Sequence, residues 1–301
     1  MPLTDTTRPT TTPTTAERRA LQQIKTSGDR FAVIAADHGQ PLVDMLDGLG
    51  VSSAPEEQRA FKSDLVATVG REASAVLLDP DVSLPDIVDH GVLPRDVGLL
   101  VRIEADGHEM EDGLRRSQLI PGLGADGARS RGATAAKVMA FVRADREDLD
   151  GYTAGMVRTA LEDCRRADLL CVMELMTYRL DDESPEEFAA RKEDLVVDGA
   201  VFLQGCGTKV LKLEYPGSES GCRRVTDAID VPWAVLSAGV DHEAFCEQLR
   251  ASMAGGADGF IAGRSLWKEA VGRPAAERRQ FLDGVARRRM EDLLAIVDAA
   301  G

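Results

Sequence analysis

The sequence predicts an α/β protein folded as a single (β/α)8 barrel. Short apolar runs alternate with amphipathic segments along nearly all of the 301 residues, which is typical of repeated βα units. Eight such runs occur, the number that a closed barrel of this length needs. Most of them are continuously apolar, as expected for parallel strands that are covered on both faces.

The eight predicted strands are spread evenly along the chain. They are residues 31–37, 73–79, 97–104, 133–142, 169–175, 210–215, 233–238 and 259–262. An open doubly wound sheet is the competing architecture, and it favours a glycine-rich turn after its first strand. The residues that follow the first strand here are Asp37-His38-Gly39-Gln40, which is not a G-x-G-x-x-G motif. The pattern therefore favours the TIM barrel.

Helix signals lie between the predicted strands. Ser184-Pro185-Glu186-Glu187 has the serine, first-turn proline and glutamate of a capping box. Asp241 is expected to cap a helix that begins near His242 and ends at Gly255-Gly256. Apolar residues at helical spacing over 275–300 predict a closing helix.

Composition limits the function and the domain organisation. A formal charge of −15 argues against a nucleic-acid partner, because no basic stripe is available to displace counterions. No apolar run is long enough for a membrane span, and five scattered cysteines without CxxC spacing indicate a cytoplasmic protein with reduced thiols. The Thr- and Pro-rich residues 1–15 predict a disordered tail, followed by one catalytic domain over 16–301.

Three charged side chains interrupt apolar strands, and they are Lys137, Glu174 and Lys212. Burial disfavours a charged side chain unless it has a partner or does chemical work. Lys212 lies between Leu211 and Leu213, so on a strand of period two it faces the barrel interior if the leucines face the helices. The alternatives are a lysine that reaches solvent at the barrel mouth and a buried ion pair of Glu174 with a lysine.

Two lysines and a carboxylate are the groups that imine chemistry needs. An ammonium close to a second lysine favours the neutral amine of the latter, which can attack a ketone. The carboxylate can move protons during carbinolamine dehydration and carbon–carbon cleavage. No His/Cys/Asp cluster has the spacing of a zinc site, so we expect neither a metal nor an organic cofactor.

Other candidates follow the first, seventh and eighth predicted strands. Asp37 ends the first strand and His38 follows it, either as a substrate contact or as a loop histidine. Phosphate is often bound by the last two loops of a barrel. There, small residues let backbone amides approach an anion and one arginine adds a donor fork; these residues are Ser237, Ala238, Gly239, Gly263 and Arg264.

The chain resembles the class I tagatose 1,6-bisphosphate aldolase family, which includes sulfofructose-phosphate aldolases. The likeness is strongest in residues 136–139, 173–178, 210–216, 236–240 and 262–267. It implies that Lys212 is the Schiff-base lysine, Glu174 the acid/base and Lys137 a second active-site lysine. It also places the family's strand-1 aspartate on Asp37 and its phosphate loops on 237–239 and 263–264.

The resemblance implies a lyase that cleaves a phosphorylated ketose to dihydroxyacetone phosphate and an aldehyde. Such barrels commonly associate, so a homo-oligomer is expected. One departure concerns the distal end of the substrate: the family reads Asp-Gln-Arg where this chain reads Asp37-His38-Gly39. A sugar bisphosphate, a sulfo-sugar phosphate and a shorter phospho-ketose all stay open. Two other functions remain as alternatives, a lysine-dependent acyl transferase acting on a phosphorylated diketone and a non-catalytic phosphosugar sensor.

Overall fold

Eight parallel strands form a closed barrel in a computed structural model that describes residues 12–300. A two-stranded antiparallel hairpin accompanies the barrel. The strands, in chain order, are β1 (Phe31–Ala36), β2 (Ala75–Leu78), β3 (Gly98–Arg102), β4 (Glu109–Glu111), β5 (Leu114–Arg116), β6 (Ala135–Phe141), β7 (Leu170–Met176), β8 (Leu211–Leu213), β9 (Trp233–Leu236) and β10 (Gly259–Ala262). The barrel is closed by β1, which pairs with both β2 and β10, so the predicted fold and all eight predicted barrel strands are confirmed.

One helix precedes β1, and the others lie between successive barrel strands and after the last one. They are α1 (Thr15–Gln23), α2 (Gln40–Gly48), α3 (Pro55–Val69), α4 (Leu84–Asp89), α5 (Gly124–Ser130), α6 (Tyr152–Arg166), α7 (Pro185–Gly205), α8 (Glu219–Ala228), α9 (His242–Ala254), α10 (Arg264–Trp267), α11 (Ala275–Phe281) and α12 (Arg287–Asp298). None of the helices within 12–300 is both long and apolar enough to cross a membrane.

The helix signals in the sequence are confirmed with two differences. The capping box of α7 forms as predicted, with Ser184 and Glu187 bonded reciprocally. Asp241 is the N-cap residue of α9, but its carboxylate accepts a hydrogen bond from Lys268 Nζ at 2.6 Å instead of capping the helix. The predicted closing helix is divided into α11 and α12 by a π-helical turn, Leu282–Ala286, whose terminal residues are both buried.

The amino-terminal boundary also differs from the prediction. Most of the predicted disordered tail lies outside the described residues. Its last two residues are ordered, because Thr14 caps α1 through a capping box with Glu17 and Thr15 begins the helix. Among the described residues, regular structure therefore begins at Thr15.

The core has two layers that follow the alternation of side chains along each strand. In β1, Ala32, Ile34 and Ala36 pack against the helices. Phe31 and Val33, together with Ala35, instead point into the pore and belong to a second apolar cluster inside the barrel. That inner cluster fills the amino-terminal half of the pore, so the polar side chains of the strands are collected at the carboxyl-terminal half.

Candidate active site

A cavity of about 310 Å³ opens at the carboxyl ends of the barrel strands. Its volume falls at the lower end of the range for pockets that hold small molecules. All ten residues that the sequence analysis selected line this one cavity: Asp37, His38, Lys137, Glu174, Lys212, Ser237, Ala238, Gly239, Gly263 and Arg264. The structure therefore brings all ten residues together in one cavity, while the role of each remains a prediction.

Lys137, on β6, is surrounded by carboxylates. Its Nζ lies 3.1 Å from Asp37 Oδ2, 2.5 Å from Glu104 Oε1 and 2.6 Å from Glu174 Oε2, the last as an ion pair outside hydrogen-bond geometry. Burial lowers the pKa of Lys137, but the three carboxylates outweigh this effect and raise the pKa well above its ordinary value. Lys137 is therefore held as an ammonium ion.

Lys212, on β8, has a different environment. Leu211 and Leu213 pack against the helices, so Lys212 points into the pore as the sequence predicted. Its Nζ lies 2.8 Å from Glu174 Oε1, which is its one carboxylate partner among the described residues. Glu174 and Lys212 are direct neighbours across the β7–β8 pairing, so the strand register itself brings the two groups together.

Glu174 joins the two lysines through its two oxygens, Oε2 towards Lys137 and Oε1 towards Lys212. Burial raises the pKa of Glu174, but the two ammonium groups outweigh it and hold the pKa below its usual value. Glu174 is therefore an ionised carboxylate. The ion pair expected with one lysine is formed with both.

Asp37 and His38 follow β1 at the same rim. Burial raises the pKa of Asp37, but Lys137 and other nearby cations outweigh it and hold this pKa well below its usual range. The His38 ring stacks edge-on against Trp267, with centroids 5.1 Å apart, and its Nδ1 lies 3.8 Å from Asp37 Oδ1. Burial, with a smaller effect of Arg264, lowers the pKa of His38 to about 4. The ring is therefore neutral at physiological pH.

The loops after β9 and β10 lie side by side. Ser237 Oγ accepts a hydrogen bond from the Gly263 amide at 3.3 Å, and this bond joins the two loops. Ala238 and Gly239 both have positive φ, 48° and 79°, which a non-glycine residue rarely adopts. Strained conformations of this kind concentrate at functional sites. Arg264 reaches the same place, and its buried Nε has no hydrogen-bond partner among the described residues.

Glu104 is a site residue that the sequence analysis did not select. It follows β3 and is 1% exposed. Its Oε1 accepts the short hydrogen bond from Lys137 Nζ. Burial raises the pKa of Glu104, and its second oxygen, Oε2, has no partner among the described residues. The signal was available, since polar residues alternate with apolar ones at Arg102, Glu104 and Asp106, as expected for one face of an extended chain.

Arg102 and Asp106 were also missed. The guanidinium donates to both carboxylate oxygens, Nη1 to Oδ1 at 2.6 Å and Nη2 to Oδ2 at 3.2 Å. Asp106 packs directly on Gly39: a Cβ added at Gly39 would lie 2.1 Å from Asp106 Oδ2. Residue 39 can therefore carry no side chain unless Asp106 moves.

Three carboxylates of the cavity are arranged around an ammonium ion. Within residues 12–300, no group of three or more His, Cys, Asp or Glu side chains is placed to hold a metal ion. Asp37, Glu104 and Glu174 converge instead on Lys137 Nζ.

Comparison with known proteins gives consistent results. A model of the DeoC/LacD family of aldolases matches residues 48–269. The chain is 25% identical over 284 residues to tagatose 1,6-diphosphate aldolase 2 of Enterococcus faecalis, covering 86% of this chain and 85% of that protein. It is 26% identical over 257 residues to tagatose 1,6-diphosphate aldolase of Staphylococcus epidermidis, covering 75% of this chain and 78% of that one.

Among solved structures, a fructose-bisphosphate aldolase from Plasmodium falciparum, in complex with TRAP and a small-molecule inhibitor, has the same fold. The TM-score is 0.71 at 15% sequence identity, over 96% of this chain and 97% of that chain.

Proposed function

Since the chain belongs to the DeoC/LacD family of aldolases, which makes it a carbon–carbon lyase, we propose that it cleaves phosphorylated ketoses through an imine formed on Lys212. The products are dihydroxyacetone phosphate and an aldehyde, and no metal ion takes part. The candidate substrates are a sugar bisphosphate such as tagatose 1,6-bisphosphate, which appears in the names of the relatives, a sulfofructose phosphate and a shorter phospho-ketose. Family membership favours cleavage over the acyl transfer and the non-catalytic sensing that the sequence left open.

The unequal environments of the two lysines carry this proposal. A nucleophilic lysine must lose its proton, and Lys137 is the poorer candidate because three carboxylates stabilise its charge. Lys212 has one carboxylate partner in the part of the chain that the structure describes, and that partner can itself accept the proton. Lys137 contacts the other oxygen of Glu174, so the carboxylate that would receive the proton of Lys212 is held in place from its far side.

The proposed reaction begins with proton transfer from Lys212 Nζ to Glu174. The neutral amine attacks the ketone carbon and forms a carbinolamine. Glu174 then returns the proton to the departing hydroxyl group, so that water leaves and a protonated imine remains. The first of these transfers takes place over the 2.8 Å that separates Lys212 Nζ from Glu174 Oε1.

Carbon–carbon cleavage follows from the imine. A carboxylate, Glu174 or Asp37, takes the proton of the hydroxyl group on the far carbon. The electrons of the breaking bond pass into the imine, which gives an enamine and releases the aldehyde. The enamine is then protonated at carbon, and water releases dihydroxyacetone phosphate from Lys212. Lys137 stays charged throughout, orients Glu174 and binds substrate oxygens.

The phosphate of the dihydroxyacetone half is assigned to the loops after β9 and β10. Arg264 supports this assignment, because it is a cavity-lining cation whose buried Nε has no partner in residues 12–300. Gly239 supports it as well, since a side chain there would press on the Arg264 guanidinium at 3.3 Å.

Borohydride trapping tests the proposal. Reduction in the presence of dihydroxyacetone phosphate should add the mass of that compound less one oxygen atom to the wild-type chain. Lys212→Arg should gain no mass. Lys209→Arg is the matched control, because Lys209 lies three residues away and pairs with Glu17 outside the cavity. It should be trapped as the wild type is.

A wild-type chain that is never trapped, although it cleaves a ketose phosphate, would refute the imine. Trapping of equal extent in Lys212→Arg would refute the choice of lysine. Circular dichroism of each variant establishes that the chain is folded.

A further inference from the structure

Charge is balanced almost completely around the cavity. Among residues 12–300, four cationic side chains line it: Arg102, Lys137, Lys212 and Arg264. Three of them contact carboxylates of the same cavity, Arg102 through Asp106 and the two lysines through Glu174. Arg264 alone among the four has no carboxylate partner within the described residues.

The cation of the opposite wall is already neutralised. Arg102 and Asp106 form a two-pronged pair, and the Arg102 side chain is 10% exposed against 42% for Asp106. A ligand at this wall therefore meets the carboxylate before it meets the guanidinium. An anionic group would have to displace Asp106, and desolvated like charges repel strongly. Gly39, against which Asp106 packs, contributes no side chain of its own.

We infer that the enzyme acts on a ketose with one phosphate only, and that Asp106 and Arg102 select a neutral, hydroxylated distal end. The single phosphate lies at Arg264, on the half that is bound as an imine. The aldehyde released or accepted at the other half carries no phosphate or sulfonate. Of the candidate substrates, this inference retains a ketose monophosphate and sets aside a sugar bisphosphate and a sulfo-sugar phosphate. This inference rests on the proposed function, since it divides the same substrate into two halves.

The distal wall offers what a hydroxyl group needs. Within the described part of the chain, Glu104 Oε2 is a buried acceptor without a partner and Arg102 Nε is a buried donor without a partner. A hydroxyl group can donate one hydrogen bond and accept others. Most oxygens of a phosphate group can only accept hydrogen bonds. A phosphate would also place negative charge beside Glu104 and Asp106. The unpaired atoms therefore match a hydroxyl group better than an anion.

One further cation lies near the mouth. Arg115 stacks on the rings of Phe141 and Tyr178, at 5.4 and 5.0 Å from their centroids. Phe141 lines the cavity, whereas Arg115 does not. Arg115 is therefore outside the anion-binding part of the site, and the variant Arg115→Met tests this placement.

The test runs the reaction in the direction of synthesis, with dihydroxyacetone phosphate as donor and either glyceraldehyde or glyceraldehyde 3-phosphate as acceptor. The wild type should use glyceraldehyde with a kcat/KM for the acceptor about tenfold or more above that for the phosphate. Both acceptors are supplied as racemates, so that the enantiomer the enzyme uses is present in each assay.

Two variants should shift this ratio in opposite directions. Asp106→Asn frees the charge of Arg102 and should move the ratio towards the phosphorylated acceptor by about tenfold. Arg102→Gln leaves Asp106 as a bare carboxylate and should move it the other way. Asp126→Asn, which removes the same charge from the exposed side of α5 away from the cavity, should leave the ratio unchanged.

A wild type that prefers glyceraldehyde 3-phosphate overturns the inference, and loss of that preference in Arg115→Met would identify the cation responsible. A ratio that Asp106→Asn and Arg102→Gln leave unchanged, or shift in the same direction, also overturns it. Borohydride trapping separates the two levels: if dihydroxyacetone phosphate is trapped on Lys212 but neither acceptor reacts, only this inference fails. If it is not trapped, the proposed function fails.

Discussion

The two halves of the barrel pore differ sharply in chemistry although the same strands build both. The amino-terminal half is filled by apolar side chains such as Phe31, Val33 and Leu77, each fully buried. The carboxyl-terminal half contains the carboxylates and ammonium groups around Glu174. A few residues along each strand therefore separate a packed core from a charged cavity.

This difference shows how the fold tolerates a site whose buried charges destabilise the folded state. Burying ions costs free energy that their mutual attraction recovers only in part. Burial of apolar side chains in the other half of the pore and in the outer core layer stabilises the folded state and offsets this cost. Stability and chemistry can thus be changed separately, and the predictions below test that separation.

The largest effect is expected from the charged half. Glu174→Gln keeps the shape of the side chain but removes the proton acceptor, so kcat for cleavage should fall by about 10²–10⁴-fold. Glu214→Gln is the matched control, because Glu214 is a buried carboxylate paired with Lys192 outside the cavity. Steady-state kinetics per folded molecule compares them, and equal losses would mean that the effect of Glu174 is structural.

The apolar half should respond in the opposite manner. Leu77→Ala leaves a void inside the pore and should lower the free energy of unfolding by about 2–5 kcal/mol. The kcat of the molecules that stay folded should change little, since Leu77 does not line the cavity. Leu49→Ala, at a leucine that is 60% exposed, should cost well under 1 kcal/mol. Urea unfolding measures both, and a large fall in kcat with Leu77→Ala would show that the halves are coupled.

A smaller effect should appear at the boundary between cavity and core, at His38. Its pKa falls from 6.5 to about 4 on folding, so the unfolded chain takes up this proton at higher pH than the folded chain. Stability is therefore present above pH 6.5 and lost as the pH falls towards 4, by about 3 kcal/mol in total. His38→Gln should lack this part of the acid sensitivity. Urea unfolding at pH 7 and at pH 4 compares the two chains, and parallel curves would contradict the assignment.

Most of the barrel could be predicted because its strands carry a local signal. Eight apolar runs, the Ser184 capping box and the interior direction of Lys212 are each legible from neighbouring residues. The hairpin β4–β5 was missed, although Asp112-Gly113 at its turn has the positive φ values, 52° and 75°, that such turns favour. Its strands are polar and exposed, so no apolar alternation marked them.

The pairings within the site could not be predicted in the same way. Lys137 was expected to act on Lys212, yet its contacts are set by Asp37, Glu104 and Glu174, which arrive from three other segments of the chain. Which of them reach one nitrogen depends on the stagger of the strands around the barrel, and no single segment encodes that.

The most direct measurement of the central claim is the position of the trapped substrate. After borohydride reduction with dihydroxyacetone phosphate, proteolysis and tandem mass spectrometry identify the lysine that carries the adduct. Our account predicts modification at Lys212 alone, because Lys137 is held as an ammonium by three carboxylates. An adduct on Lys137, with Lys212 unmodified, would contradict it.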